Sequence, residues 1–190
     1  KPYFEKYGLS CDFVGHPISK VSIPLDSERE NFFKTMEIDN SNKIVTILPG
    51  SRKSEIKSLL PIYLKLIENL SIQFDNISFV IPIPENISNY MRPTLNDYKT
   101  RVKILSESKM GVDKFDSFKL SLFKFSTLAI NTSGSVSLEL ARTGTPMVSI
   151  YKCGWLFEKI IKSFVKIKSA NLINIILKKQ VIPEFLFEKC

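Results

Sequence analysis

The sequence predicts an α/β fold built on a doubly wound parallel sheet. Three observations carry this expectation. Short runs of Ile, Val and Leu recur along the chain, each is followed by a stretch with helical spacing of apolar residues, and two of the junctions between them, Pro49 to Arg52 and Thr132 to Ser135, consist of small and turn-forming residues. Strands alternating with helices indicate a parallel sheet covered on both faces. At 190 residues, 44% of them hydrophobic, with 7 Gly and 10 Pro, the chain is long enough for one well-filled domain.

Residues 1–40 read as a leading segment and 41–190 as the sheet domain, the change of character falling near Asn40. Gly8, Gly15, Pro17 and Pro24 break any long helix between Lys1 and Leu25. Asp26 to Met36 predicts a helix capped by Asp26 or Ser27, and Asp39 to Asn42 a turn. The run KIVTIL, Lys43 to Leu48, is the first strong strand. After Pro49, Gly50, Ser51 and Arg52 comes a helix carrying Glu55 and reaching about Leu70, with Pro61 predicting either a bend or the true start. Asn76 to Ile83 is a second strand, Ser88 to Lys99 a helix, and Val102 to Leu105 a third strand. Asp113 to Lys124 is a helix with Phe115, Phe118 and Leu122 on one face. Leu128 to Ile130 is a fourth strand, Val136 to Thr143 a helix with Gly144 at its C-cap, and Met147 to Tyr151 a further strand beyond Pro146.

Composition narrows the function classes. Cys11, Cys153 and Cys190 are odd in number and far apart, with no CxxC or Cys/His spacing, so neither a disulfide framework nor a zinc site is encoded and a reducing cytosol suits them. His16 is the only histidine, which leaves at most one imidazole for acid/base work; a loop histidine hydrogen-bonded beside Pro17 is the plainer role. No apolar run reaches the roughly 18 residues of a bilayer span, and the start lacks the apolar core of a signal peptide. The chain begins with Lys1 and not Met, which fits a fragment, a processed product or a trimmed form. A net charge of +8 suggests anionic partners such as nucleotide phosphates, nucleic acid or acidic lipid. Lysine supplies 22 of the 27 cations, so an arginine at a phosphate loop is the more informative one. Trp155 to Lys168 sets Phe157, Ile160, Ile161, Phe164 and Ile167 near one face, with Lys159, Lys162 and Lys166 outside it. This stretch suits either an anionic membrane surface or ordinary packing with a solvated lysine face.

The two small-residue loops carry the candidate chemistry. In a sheet of order 3-2-1-4-5 the strands before PGSR and TSGS are neighbours flanking the topological switch point, where diverging loops leave a crevice for ligands. A diphosphate there would meet helix N-termini, the hydroxyls of Ser51, Ser133 and Ser135, the guanidinium of Arg52, and backbone that Gly134 leaves open to close approach. Glu139, a turn into its helix, suits a vicinal ribose diol, and a solvated carboxylate has the same spacing. No P-loop, GxGxxG, HExxH or GxSxG motif occurs, which argues against an NTPase, a dinucleotide oxidoreductase, a zincin or an ordinary serine hydrolase.

The blocks DFVGHP (Asp12 to Pro17), ILPGSRKSEI (Ile47 to Ile56), TSGSVSLELARTGTPMVSIYK (Thr132 to Lys152) and ANLINIILKKQVIPEFL (Ala170 to Leu186) together resemble the lipid-A-disaccharide synthase family. The resemblance implies the C-terminal, Rossmann-like, UDP-sugar-binding half of a GT-B glycosyltransferase, a hexosyltransferase. That enzyme joins UDP-2,3-diacylglucosamine to 2,3-diacylglucosamine 1-phosphate through a β-1,6 bond and releases UDP. It further implies no metal and no cofactor, no nucleic-acid partner, and a cytoplasmic site peripheral to the inner membrane of a Gram-negative bacterium. Ser51, Arg52 and Glu55 match the family's GSRxxEI loop; Ser133, Gly134, Ser135 and Glu139 match its SGTxxLE segment, with Ser135 where Thr is common; Asn174 matches the Asn of SLPN. Asn171 and Ile173 replace the Ser and Pro of that block, and Phe187 stands where Gln usually follows PEFL. On this resemblance the acceptor half, with the expected catalytic base, and the final helices lie outside the 190 residues. The alternatives are another UDP-sugar GT-B transferase of the UDP-N-acetylglucosamine type, or a basic nucleic-acid-binding module, which would lack aromatic-basic interleaving here.

Overall fold

A computed structural model describes residues 2–12, 14–98, 101–132, 134–152 and 169–186. Six parallel strands form one sheet: β1 (Lys43–Leu48), β2 (Ile77–Ile83), β3 (Val102–Ser106), β4 (Leu128–Thr132), β5 (Met147–Tyr151) and β6 (Glu184–Leu186). Their spatial order is β3-β2-β1-β4-β5-β6, so the chain winds one way from β1 to β3 and the other way from β4 to β6. The expected order of the first five strands is therefore present, extended by an edge strand. Among the described residues the helices are α1 (Pro2–Glu5), α2 (Arg29–Thr35), α3 (Lys53–Gln73), α4 (Glu85–Asn96), α5 (Glu107–Met110), α6 (Val112–Phe125), α7 (Val136–Arg142) and α8 (Leu172–Leu177), with 3₁₀ turns at Pro17–Lys20 and Asp26–Glu28.

The period-two alternation of β1 explains why helices cover both faces. Val45 and Ile47 pack into one core with Ile56, Leu59, Tyr63 and Ile67 of α3 and Ile87, Met91 and Leu95 of α4. Ile44 and Leu48 pack into a second core with Phe32 and Phe33 of α2, Phe115, Leu122 and Phe123 of α6, and Leu140 of α7. That second core reaches back before residue 41, since Phe32 and Phe33 are fully buried.

Several boundaries differ from the sequence expectation for local physical reasons. Neither Asp26 nor Ser27 caps a helix over 26–36: Asp26–Glu28 is itself a 3₁₀ turn, and Glu28 Oε1 accepts from Leu25 N–H at 3.2 Å. Helix α3 does not begin at Pro61 but runs through it, because Leu59, Leu60, Tyr63 and Leu64 anchor both flanking turns in the core. Helix α4 starts three residues earlier than Ser88, its first amide, Glu85 N–H, donating to Glu107 Oε2 at 2.9 Å. A cap supplied from 22 residues away leaves no local signature. Helices α1, α5 and α8 and strand β6 have no counterpart among the elements the sequence predicts. Gly144, at φ +72°, follows the last turn of α7 as expected. The amphipathic stretch from Trp155 to Lys168 lies outside the described residues, as do Cys153, Cys190 and Phe187.

Candidate functional site

Strands β1 and β4 pair with Leu48 opposite Asn131, so the two loops that follow them start side by side. Beyond β1 the chain turns to α3 on one face of the sheet, and beyond β4 it turns to α7 on the other. The divergence opens a cleft of about 410 Å³ at the switch point. Gly50, Ser51, Arg52 and Glu55 line one side, Gly134, Ser135 and Glu139 the other, with Phe115 and Lys119 of α6 in the wall. Six of the eight sequence-derived candidates and Lys119 thus meet in one place; Ser133 is outside the described residues and Asn174 does not line the cleft.

The PGSR loop is held from within. Glu55 Oε2 accepts from the backbone amides of Ser51 at 3.2 Å and Arg52 at 3.4 Å, while Oε1 pairs with Arg52 Nη1 at 3.1 Å. This carboxylate occupies amides at the start of α3 that a phosphate would otherwise take, and its role here is to cap the first turn of that helix. A Cβ on Gly50, at φ +107°, would fall 2.6 Å from Glu55 Oε2 and 2.9 Å from Glu55 Cβ, so glycine lets the carboxylate tuck under the loop. The Arg52 side chain is 79% exposed and remains available to an anion. Across the cleft Gly134, at φ +150°, has nothing within 4 Å of where a Cβ would stand, which leaves its backbone open to close approach.

Glu139 is fixed by a residue that pattern reading passed over. Its Oε2 lies 3.1 Å from Lys119 Nζ, which also contacts Asp116 Oδ1 at 3.1 Å. Burial alone would lower the Lys119 pKa, but the Glu139 and Asp116 carboxylates outweigh it and hold the ammonium above the ordinary lysine value. The signal was present, since Lys119 follows Phe115 by four residues and precedes Leu122 by three, on the same stripe of α6. His16 lines a neighbouring hollow together with Lys119, Ser135 and Glu139. Its Nδ1 accepts from Ile18 N–H at 3.2 Å, the plainer of its two expected roles.

Asn174 is spent on the fold. Its side-chain carbonyl accepts from Val181 N–H at 2.8 Å and Ile182 N–H at 2.9 Å, and its amide donates to Ile182 C=O at 2.9 Å and to Glu184. Glu184 also accepts from Ser169 and from Ala170 N–H at 2.7 Å, so one carboxylate ties α8 to β6. Asn171 caps α8, its Oδ1 accepting from Ile173 N–H at 2.8 Å, and donates to the buried Ser149 Oγ at 2.7 Å. Among the described residues no three His, Cys, Asp or Glu side chains gather as a metal site, and no helix is long and apolar enough to cross a membrane.

A doubly wound parallel sheet with this cleft at its switch point defines a Rossmann-like unit. Its fold is similar to that of E. coli ADP-heptose lps heptosyltransferase II, with a TM-score of 0.53 at 11% identity over 68% of this chain and 38% of that one. It is also similar to the Neisseria meningitidis UDP-GlcNAc 2-epimerase bound to UDP-GlcNAc, with a TM-score of 0.51 at 19% identity over 81% of this chain and 40% of that one. The family model described as lipid-A-disaccharide synthetase matches residues 1–190, and the chain belongs to that family. Named relatives include the lipid-A-disaccharide synthases of Rickettsia prowazekii, 33% identical over 100% of this chain and 47% of that protein, and of Rhodospirillum centenum, 30% identical over 100% of this chain and 45% of that protein. The chain therefore spans a little under half the length of these relatives.

Proposed function

We propose that this chain holds the donor, UDP-2,3-diacylglucosamine, of a lipid-A-disaccharide synthase. In the longer protein the 6-hydroxyl of 2,3-diacylglucosamine 1-phosphate attacks the donor's anomeric carbon, forming the β-1,6 bond and releasing UDP. The observation that carries this reading is the cleft between the PGSR and 134–136 loops at the switch point. In it Arg52 and the Ser51 and Ser135 hydroxyls bind the diphosphate, with Ser133 beside them in sequence, and Glu139 accepts from the ribose diol. Glu55 acts through Arg52, which it orients, and Asn174 through the packing of α8 and β6. The base that takes the acceptor's proton belongs to the remainder of the longer protein, on the opposite wall of the cleft. Because both substrates carry acyl chains, the working position is the cytoplasmic face of the inner membrane.

Thermal unfolding with nucleotides tests the donor assignment. By linkage, UDP at 100 times its dissociation constant adds about 2.7 kcal/mol, and ADP at the same concentration adds less. Equal shifts from UDP and ADP count against it. Excess EDTA leaves the UDP shift unchanged on this reading, and a loss of binding restored by magnesium sinks the metal-free mechanism.

A further inference from the structure

We infer that Lys119 is the positioning residue that sets how strongly this site selects a nucleotide with an intact ribose diol, an inference that rests on the donor-binding reading above. Lys119 is 23% exposed and Glu139 26%, and they meet at 3.1 Å where the cleft adjoins the hollow beside His16. A glutamate on a short helix has three rotatable side-chain bonds and no intrinsic reason to hold one orientation. Here one carboxylate oxygen is pinned by an ammonium that Asp116, one turn back on α6, holds in turn at 3.1 Å. Among the described residues the other carboxylate oxygen, Oε1, has no partner. A cis-diol donates two hydrogen bonds and needs two acceptor sites close together. A carboxylate with one lone pair committed to lysine still offers both, one on each oxygen.

The pair also divides the roles of two side chains in the same wall. Were Lys119 a phosphate ligand, its charge would act on any nucleoside diphosphate alike. As the group that orients Glu139, it acts only on ligands that carry the diol. The energetic consequence therefore lies in a ratio of affinities and not in affinity itself.

The test is titration calorimetry on the 190-residue chain with UDP and 2′-deoxy-UDP, for the parent and for Lys119→Met, Lys119→Arg, Glu139→Gln and the Lys119→Met/Glu139→Gln pair. The parent prefers UDP by roughly tenfold or more, the scale of one hydrogen bond to a charged acceptor. Lys119→Met reduces that preference to about twofold by weakening UDP and leaving 2′-deoxy-UDP nearly unchanged, on the same hydrogen-bond scale. Lys119→Arg restores most of it, and Lys119→Met has no further effect on the ratio once Glu139→Gln is present. A Lys119→Met chain that keeps the parental ratio, whether or not both affinities fall together, overturns the inference. So does a parent with no diol preference. Failure of the parent to bind UDP at all overturns the donor-binding reading itself, so the two failures are told apart.

Discussion

Replacing Gly50 with alanine perturbs the candidate site at its tightest point. The added methyl meets two penalties: a side chain at φ +107°, and a contact at 2.6 Å with Glu55 Oε2 and 2.9 Å with Glu55 Cβ. Backbone strain of this kind costs about 1–3 kcal/mol. The carboxylate must then leave the Ser51 and Arg52 amides, and losing a helix cap adds about 1 kcal/mol. The expected loss for Gly50→Ala is therefore about 2–4 kcal/mol. Glu55→Ala alone costs about 1 kcal/mol, because its ion pair with the largely exposed Arg52 contributes little beyond the cap. Since the cap cannot be lost twice, the double variant should fall short of the sum by about 1 kcal/mol. Urea denaturation at constant slope measures all four corners of this cycle. Additivity within about 0.3 kcal/mol would refute the claim that Gly50 exists to seat the Glu55 carboxylate.

Other outcomes follow from the same contacts. Arg52→Ala weakens UDP binding by roughly 1.5 kcal/mol, the low end for charged hydrogen bonds because the side chain is 79% exposed, and unchanged calorimetric affinity removes Arg52 from the site. Asn174→Ala leaves the Val181 and Ile182 amides without their acceptor and destabilises by about 2–4 kcal/mol, read by denaturation; a stable variant with weakened UDP binding would instead make Asn174 a ligand contact. For Glu184, burial alone raises the carboxyl pKa, but hydrogen bonds from Ser169, Ala170 N–H and Asn174 outweigh it and hold the folded value below the ordinary one. Its stabilising contribution is thus complete above the unfolded pKa of about 4.3 and disappears as pH falls through the depressed folded value. The difference in melting temperature between the parent and Glu184→Gln should shrink across that acidic range, and a difference that stays constant down to pH 2 contradicts the assignment.

What the sequence made legible was what depends on near neighbours. KIVTIL and MVSIY matched β1 and β5 to the residue, because an apolar run between turn residues has few other ways to bury itself. Alternation of strand and helix pointed to the parallel sheet, and the order 3-2-1-4-5 taken for it is that of the first five strands. What escaped was set at a distance. The start of α4 is fixed by Glu107, 22 residues on. The edge strand β6 has only three residues, and Ile182 with Pro183 before it reads as a loop. It pairs because Glu184, anchored by Ser169, Ala170 and Asn174, brings Phe185 opposite Ile150.

The same distinction separates the two acidic residues of the candidate site. Glu55 and Glu139 share one local setting, each on the first turn of a helix that follows a small-residue loop. Glu55 turns back along its own chain, and its partners are the third and fourth residues before it. A carboxylate so engaged shapes the loop and leaves the exposed Arg52 guanidinium pointing outward from it. Glu139 reaches instead to a lysine on another helix, 20 positions away, with its second oxygen uncommitted among the described residues. Local capping is readable from a motif, whereas a carboxylate held from another helix is recognised only by what holds it. That is why Lys119, which carries no motif, tells more about Glu139 than the spacing of Glu139 itself does.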